Sequence, residues 1–531
     1  MPTAEYLMGQ KLEERLRAAW RQIIPDVTIG LEDSAFDLGA NSLQVLMLVA
    51  ASSEVLRIDI DLDAFFTNPT MAFLLEQHGK NTANKAKPEE VAQEIPLLPA
   101  QRWLLSSGSN LNQWWTSLLL TAHQAFDTVL LRVAVEACAQ RHAALRCTFS
   151  PDDRSARVAA TPHPGVFTTL DLRNCPLEHR QRVLEWFTLR ENNSVDLENG
   201  PLFSLAYIHW NDAEVRLFLR VHHLISDGYS NGVVLREIID NYRDLAAGSK
   251  VRAKLPTSVG AIARHRRQFA DTFMLPHSFT QALDSYHFVE LPKDFRPSPV
   301  SNRAIYNSAL VHTLSVQQAD QLDQLAKEAD ASIIDVFMWA LARTLCKWTA
   351  DNHVRIVNID AGRRSAGIGS LDSSETVGWL SMLSLLVFEI NAQLSLIQQV
   401  QLVHRQRCNA PLAGAWFDDY RERGDWTYNI APQEVVIFNF QGNVDQLLQI
   451  DRLKLEIARE QIRKAPAIDT ERQSCFYIDV RRETAGMKIA WHFSRALHLD
   501  GTIEKLMKDF LDHLAAASSG IGIRRLITEP E

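Results

Sequence analysis

The sequence predicts a small all-helical domain, a polar linker and a large α/β domain. Residues 1–80 contain segments such as "KLEERLRAAWRQII", in which apolar residues recur at helical spacing. Residues 81–94 are polar and almost free of large apolar side chains, which is the composition of a linker. Residues 95–531 alternate helical and strand-like segments, and their length suggests two lobes, at about 95–270 and about 271–531.

Four short helices are expected in the N-terminal domain. The first ends at Pro25, and a polar loop leads to the second, "SLQVLMLVAASSEVL". The apolar turn "LDAFFTN" follows, and the last helix begins near "PTMAFLLEQ". The domain is therefore predicted to be an all-α bundle.

The large domain shows both periodicities. "EVRLFLRVHH" alternates like a strand and ends in two histidines, "HVRIVNID", "LLVFEI" and "EVVIFNF" are typical of buried strands, and "CFYIDVRRETAGMKIAWHFS" indicates a β-hairpin. "SVQQADQLDQLAKEA" opens with a capping-box pair, Ser315 and Gln318, and Ser332 caps the buried helix "SIIDVFMWALARTLCKW". "TIEKLMKDFLDHLAAA" predicts a terminal helix.

Composition limits the classes of function. The chain has 531 residues, of which 46% are hydrophobic, and a formal net charge of −9, which argues against nucleic-acid binding. Neither a secretory signal nor an uncharged apolar run long enough for a membrane helix is found, so a cytoplasmic protein is expected. The scattered cysteines predict reduced thiols and no metal site; they are Cys138, Cys147, Cys175, Cys346, Cys408 and Cys475.

"FDLGANSLQVLML" places Ser42 at the first turn of an amphipathic helix, where serine is a preferred N-cap. Its context in residues 8–78, including "FFTNPTMAFL", resembles the acyl- or peptidyl-carrier proteins of polyketide and nonribosomal peptide synthases. The resemblance implies that Ser42 is esterified by 4′-phosphopantetheine, which carries the substrate as a thioester. It also implies a phosphopantetheinyl transferase as a partner.

"HHLISDG" is the second chemical signal. A histidine with a pKa near neutrality can take a proton from an amine or hydroxyl as it attacks a thioester, although an adjacent pair of histidines is also compatible with buried structural residues. With "LLPAQRWLL", "RHAALRCTF", "DLENGPLF" and "VVIFNFQGN" in the same order, residues 95–520 resemble the condensation-domain superfamily of nonribosomal peptide synthetases. The resemblance implies two lobes like chloramphenicol acetyltransferase, arranged in a V around a tunnel.

The resemblance also implies roles for individual residues. His223 is expected to be the catalytic histidine and His222 to be structural. Asp227 is expected to form a salt bridge with Arg146. Gly228 is expected to permit the turn and leave room for the pantetheine thioester. By position alone, three residues are candidates for the tunnel lining or, equally, for core packing: Trp379, Ser381 and Asn439.

Several stretches resemble the epimerization branch of the superfamily, among them "QRWLL", "TVGW" and "FNFQG". Epimerization requires two acid/base groups on opposite faces of the α-carbon. The family's glutamate, in "EGHGR", corresponds here to Ile359 of "IDAGR", and Asp360 is shifted by one residue to the other face of a strand. The carrier motif reads "GANS" where carriers that serve epimerases usually read "GGDS".

Three hypotheses follow for the activity. The first is a condensation-type acyltransferase that forms an amide or ester. The second is an epimerase that uses a displaced base such as Asp360 or Glu375, and the third is a non-catalytic platform that recruits tailoring enzymes. Since the carrier precedes the large domain, Ser42 is expected to present the donor. Loading or elongation enzymes in trans, and an acceptor on another carrier or as a free small molecule, are the expected partners, and chain release is one outcome.

Overall fold

A computed structural model describes most of the chain. The described residues are 4–24, 27–40, 42–56, 60, 64–65, 68–80, 94–106, 111, 114–150, 155–272, 289–363, 371–410, 432–443, 455–460, 462 and 471–525. The predicted linker, residues 81–94, lies outside them except for residue 94. The turn "LDAFFTN" lies partly outside them.

In the N-terminal region the described helices are α1 (Ala4–Ile23), α2 (Ser42–Leu56) and α3 (Met71–Lys80). Their apolar faces meet around Trp20, which is fully buried and donates from its indole Nε1 to Ser52 Oγ at 2.9 Å. Trp20 also contacts Phe65 edge-to-face, with the ring centroids 6.1 Å apart. The helical spacing of apolar residues read from the sequence is thus present in these three helices.

The first half of the large domain is built on two sheets. Its strands are β1 (Glu94–Ile95), β2 (Trp115–Ala122), β3 (Cys147–Ser150), β4 (Ser155–Val158), β5 (Phe167–Asp171), β6 (Phe203–His209) and β7 (Val215–His222). Its helices are α4 (Pro99–Ser106), α5 (Thr128–Arg141), α6 (Leu177–Asn193), α7 (Gly228–Ala246) and α8 (Val259–Thr272), with short 3₁₀ turns at Ala143–Arg146 and His223–Ile225. β1, β4 and β3 form one antiparallel sheet, and β7 is the fully buried central strand of the other.

The second half is a six-stranded sheet covered by helices. Its strands are β8 (Asn307–Leu314), β9 (His353–Asp360), β10 (Met382–Glu389), β11 (Val436–Asn443), β13 (Phe476–Glu483) and β14 (Gly486–Ser494), in the order β10-β9-β11-β13-β14-β8. Its helices are α9 (Val316–Glu328), α10 (Ile333–Thr349), α11 (Leu396–Cys408) and α12 (Asp500–Arg525), with 3₁₀ turns at Ala304–Tyr306 and Pro432–Glu434. The predicted hairpin is β13–β14, and the capping boxes at Ser315 and Ser332 are both present.

One chain segment of the second half joins a sheet of the first half. β12 (Glu456–Ile457), which lies between β11 and β13 in sequence, pairs with β2 and forms the edge of the sheet β12-β2-β7-β6-β5. Arg216 on β7 secures this crossing, since its guanidinium Nη2 lies 2.6 Å from Glu460 Oε1. Side chains of the first half also bind the second half: Tyr229 and Ser230 of α7 donate to the backbone carbonyls of Ser374 and Gly378.

Among the described residues, no helix combines the length and apolar character needed to cross a lipid bilayer. The six cysteines are free thiols; Cys138, Cys147, Cys346 and Cys475 are buried.

Gly362 is predicted to be intolerant of any side chain. Its φ of +63° is in the left-handed region, and a Cβ there would collide with the carbonyl oxygen of Leu380. We expect Gly362→Ala to lower the free energy of unfolding by about 2 kcal/mol or more, measured by urea titration. Gly501→Ala is the control, because it adds a methyl group to open space in the first turn of α12. Equal stability of the two variants would contradict this account.

Candidate active site

The histidine pair lies where β7 ends against the start of α7. β7 runs to His222, one 3₁₀ turn covers His223–Ile225, and α7 begins at Gly228. The backbone N–H of His223 donates to the carbonyl oxygen of Trp114 at 2.7 Å, which fixes the main chain beside β2. A rigid strand end of this kind holds a side chain in one position.

The imidazole of His223 is half-buried and partly enclosed by tryptophans. Its ring centroid is 4.1 Å from that of Trp379, at an interplanar angle of 43°, and 5.9 Å from that of Trp114. Trp103 completes the cluster, at 5.5 Å from Trp114 and 6.4 Å from Trp379. Nδ1 of His223 is buried and has no hydrogen-bond partner among the described residues.

The electrostatics of His223 follow from this enclosure. Burial lowers its pKa, and this effect outweighs the opposing charge of Asp227. The ring is therefore neutral at pH 7. A neutral imidazole can accept a proton from an attacking amine or hydroxyl.

Asp227 is the centre of a buried ion pair. Its Oδ2 lies 2.9 Å from Arg363 Nη1, and its Oδ1 lies 3.2 Å from Arg363 Nη2. Burial opposes ionisation of Asp227, but the charge and hydrogen bonds of Arg363 outweigh it and hold the pKa below its ordinary value. The carboxylate also accepts the backbone N–H groups of Ser230, Leu380 and Ser381, at 2.8, 3.0 and 3.1 Å. It therefore ties the histidine turn to the segment that carries Trp379.

The expected salt bridge between Asp227 and Arg146 is wrong. Arg146 lies just beyond α5, where its guanidinium donates to the carbonyls of Ala139, at 2.9 Å, and Gln140 and also to Ala159 at 2.8 Å. The first two are carbonyls that a helix end leaves without intrahelical partners. The partner, Arg363, belongs to "IDAGRR", so a signal for it was present in the sequence, but only the fold shows which arginine reaches Asp227.

His222 is held by two hydrogen bonds, whereas Gly228 has open space beside it. His222 is fully buried; its Nε2 donates to the Leu111 carbonyl at 2.8 Å, and its Nδ1 accepts the N–H of Leu224 at 3.2 Å. Burial lowers the pKa of His222 to about 4, so this ring is neutral. Gly228 does not adopt a positive φ, and a Cβ there would have nothing within 4 Å, so space rather than turn geometry distinguishes the position.

The predicted tunnel residues differ in their contacts. Trp379 packs against His223 with the two rings tilted, and Ser381 contributes its backbone N–H to Asp227. Asn439 lies on β11, where its Nδ2 donates to Tyr477 at 2.8 Å and to Asp479 at 3.1 Å. The structure thus brings Trp379 and Ser381 to the histidine turn.

The two carboxylates considered as a displaced base are both engaged. Asp360 accepts the N–H of Gly362 at 2.7 Å and the hydroxyl of Ser384 at 2.8 Å. Ile359, which the resemblance matches to the family's glutamate, pairs in register with Asn439 on β11.

Glu375 lies 2.5 Å from Arg141 Nη2 and 2.9 Å from Arg252 Nη1. Burial raises its pKa, but the two arginines outweigh this and keep it below the ordinary value. Arg141 also contacts Glu237, which with Cys138 and His142 forms a buried group of potential metal-ligand atoms. The guanidinium already supplies the positive charge there, which disfavours a metal ion.

Ser42 is the first residue of α2. The first turn of this helix contains no acidic residue, and backbone N–H groups at a helix start are favourable to a phosphodiester. This position therefore fits a covalently attached phosphopantetheine, which would supply the thiol that holds the substrate.

The large domain thus consists of two sheet-based halves that meet at the histidine turn, and it follows a region with three described helices. The family description "Condensation domain" matches residues 91–521, and "Phosphopantetheine attachment site" matches residues 14–76. The chain belongs to the condensation-domain family and carries an N-terminal phosphopantetheine-binding domain, the two domain types found in nonribosomal peptide synthetases.

Known relatives extend the match over nearly the whole chain. It is 26% identical to a linear gramicidin synthase of Brevibacillus parabrevis over 523 residues, which are 95% of this chain and 10% of that protein. The chain therefore spans about a tenth of the length of this relative.

Solved structures show the same fold. The chain is similar to the epimerization domain of the third module of tyrocidine synthetase B, with a TM-score of 0.71 and 20% identity over 82% of this chain and 99% of that one. It is also similar to the X-domain from teicoplanin biosynthesis in complex with OxyB, with a TM-score of 0.62 and 17% identity over 82% and 97%.

Asp227→Asn is predicted to destabilise the domain because it leaves the guanidinium of Arg363 buried without a counter-charge. We expect a loss of about 3–5 kcal/mol in the free energy of unfolding at pH 7, measured by urea titration. Because the pKa of Asp227 is lowered on folding, this stabilisation is present above the unfolded pKa and is lost as the pH falls through the folded value.

The matched control is Asp512→Asn, which removes an exposed partner of Lys508 one turn away on α12. Such exposed pairs contribute about 1 kcal/mol or less. If Asp227→Asn lowered the free energy of unfolding by no more than Asp512→Asn does, the buried pair would not hold the two halves together.

Proposed function

We propose that the chain is a carrier–condensation didomain that transfers an acyl group from a pantetheine thioester to an amine or hydroxyl acceptor, with His223 as the general base. The observation that carries the proposal is an imidazole that is buried at Nδ1 and packed against Trp114 and Trp379 at a strand end, where burial lowers its pKa. The carrier is proposed to span residues 1–80 as a four-helix bundle, the linker 81–94 and the condensation domain 95–531.

The proposed reaction needs one proton acceptor. As the acceptor nitrogen or oxygen attacks the thioester carbonyl, it becomes acidic, and the neutral ring of His223 takes its proton. Asp227 has a positioning role and does not take part in proton transfer. It binds Arg363 and the N–H groups of Leu380 and Ser381, and these contacts hold the histidine turn and the segment that carries Trp379. The released thiol takes the proton from His223, so the ring returns to its starting state.

Ser42 is proposed to hold the donor, because a covalent thioester on the same chain raises its effective concentration at the domain. A phosphopantetheinyl transferase and loading or elongation enzymes are the proposed partners. The acceptor is proposed to be bound to another carrier or to be a free small molecule.

The second candidate is epimerization of a carrier-bound aminoacyl or peptidyl thioester. The resemblance of "TVGW" and "FNFQG" to epimerization domains favours it, and the similar fold of the tyrocidine domain is compatible with it. The apolar Ile359 and the occupied carboxylates of Asp360 and Glu375 favour acyl transfer, because neither carboxylate is available as a second base.

Ser42→Ala is predicted to abolish modification of the carrier. Wild type, incubated with coenzyme A and a phosphopantetheinyl transferase, should gain the mass of one phosphopantetheinyl group, measured by intact-protein mass spectrometry. Ser34→Ala, in the loop before α2, is the control and should be modified normally. An unmodified wild type, or a modified Ser42→Ala, would show the assignment of Ser42 to be incorrect.

His223→Ala is predicted to slow amide or ester formation by about 10²–10⁴-fold, because it removes the proton acceptor. The measurement is product formation from the charged carrier with candidate amines and alcohols, followed by mass spectrometry. His312→Ala, at an exposed position on β8, is the control and should retain the wild-type rate.

The same charged protein in deuterium oxide separates the candidates. Exchange at the α-carbon with loss of chirality, without product, would favour epimerization over acyl transfer. A protein that shows neither activity but binds a tailoring enzyme tightly would instead be a platform.

A further inference from the structure

A cysteine, a histidine and an aspartate meet on the helical side of the second half, away from the histidine turn. His404 and Cys408 lie one helical turn apart at the end of α11, and Asp335 lies in the first turn of α10. His404 Nδ1 is 2.9 Å from Asp335 Oδ2, and Cys408 Sγ is 3.7 Å from His404 Nε2. The sulfur lies at nearly the same distance, 3.8 Å, from Nδ1, so it contacts the edge of the imidazole ring while Nδ1–H donates to the carboxylate.

Asp335 is held firmly in this cluster. Its side chain is fully buried, accepts the hydroxyl of Ser332 at 2.7 Å, and pairs with Arg407 Nε at 2.5 Å. Burial opposes its ionisation, but Arg407 and the hydrogen bonds outweigh this effect and hold its pKa well below the usual range. The carboxylate therefore stays charged at neutral pH and fixes the orientation of the imidazole.

The charges around the sulfur favour its ionised form. The hydrogen bond to Asp335 raises the pKa of His404 to about 10, so its ring is an imidazolium at neutral pH. Burial raises the pKa of Cys408, but His404 and the charge of Arg407 outweigh burial and the opposing charge of Asp335, so the pKa falls below its ordinary value. The carbonyl end of α11 disfavours an anion, and the basic residues of its last turn, Arg405 and Arg407, offset this.

The thiol of Cys408 is also accessible to solvent. Cys408 is the exposed thiol among the six, whereas Cys175 is half-buried. The sulfur of Cys175 contacts only the carbonyl of Pro176, at 3.7 Å, among its described hydrogen-bond partners. A thiolate beside an imidazolium at an accessible position is the nucleophilic form of cysteine.

We propose that Cys408 is a modification site at which the thiolate forms mixed disulfides with low-molecular-weight disulfides. The sulfur of Cys408 attacks one sulfur of the disulfide, a new S–S bond forms, and the old S–S bond breaks. The departing thiolate takes a proton from solvent, and the cysteine and the departing thiol exchange oxidation states without any further oxidant. The site is independent of the proposed acyl transfer, since none of its side chains belongs to the histidine turn.

The experiment uses the full chain with oxidised glutathione as the probe. Peptide mapping by mass spectrometry should show mixed disulfide at Cys408 at least about tenfold faster than at Cys175 in the same molecules. With iodoacetamide, the rate at Cys408 should titrate below the ordinary thiol pKa of about 8.5. Cys408→Ser should abolish the fast reaction.

His404→Gln is the decisive variant, because it leaves Asp335 with its cap and its arginine. We expect the pH profile of Cys408 to move up and its rate at pH 7 to fall by about tenfold. Asp335→Asn should give the same direction of change, with folding checked by urea titration. A Cys408 that reacts no faster than Cys175, or whose pH profile is the same in His404→Gln, would overturn the proposal.

Discussion

The carboxylate of Asp227 links the two halves of the large domain at the point where the candidate active site lies. It pairs with Arg363, which follows β9 in the second half, and it binds the backbone N–H groups of Leu380 and Ser381, which precede β10. Water cannot replace any of these contacts, because both charged side chains are buried. A buried ion pair adds little net stability over an apolar pair, but the loss of one partner is costly, so this pair specifies the arrangement of the halves.

The position of His223 depends on this link. Trp379 belongs to the segment that Asp227 holds, while Trp114 precedes β2 in the first half. The ring of His223 packs against one tryptophan from each half, and its burial is what lowers its pKa. The proposed base is therefore neutral because the packing of the two halves buries it, and not because a hydrogen-bond partner of its ring lowers its pKa.

The same packing supports the proposed reaction. A base that is neutral at pH 7 suits proton removal from an acceptor as it attacks a thioester. Asn439 on β11 lies between Ile359 on β9 and Asp479 on β13. The resemblance matches Ile359 to the glutamate of the family's epimerases, and its apolar side chain is the basis on which acyl transfer is proposed. Asp360, on the opposite face, serves Ser384 and the turn at Gly362 instead.

Local pattern in the sequence was sufficient for several of the elements and for the two motifs. Strand alternation placed β7 before His223, capping residues located the starts of α9 and α10, and "GANS" and "HHLISDG" indicated the domain types, because each depends on residues near one another in the chain. Long-range partners were decided by tertiary structure alone. Arg146 and Arg363 carry the same charge, so the sequence does not show which of them pairs with Asp227. The strand β12 is too short for its pairing with β2 to be predicted from the sequence. Asp335 lies 69 residues from His404. In each case the choice rests on which backbones the packed sheets and helices bring within a few ångströms, and sequence separation carries no information about that distance.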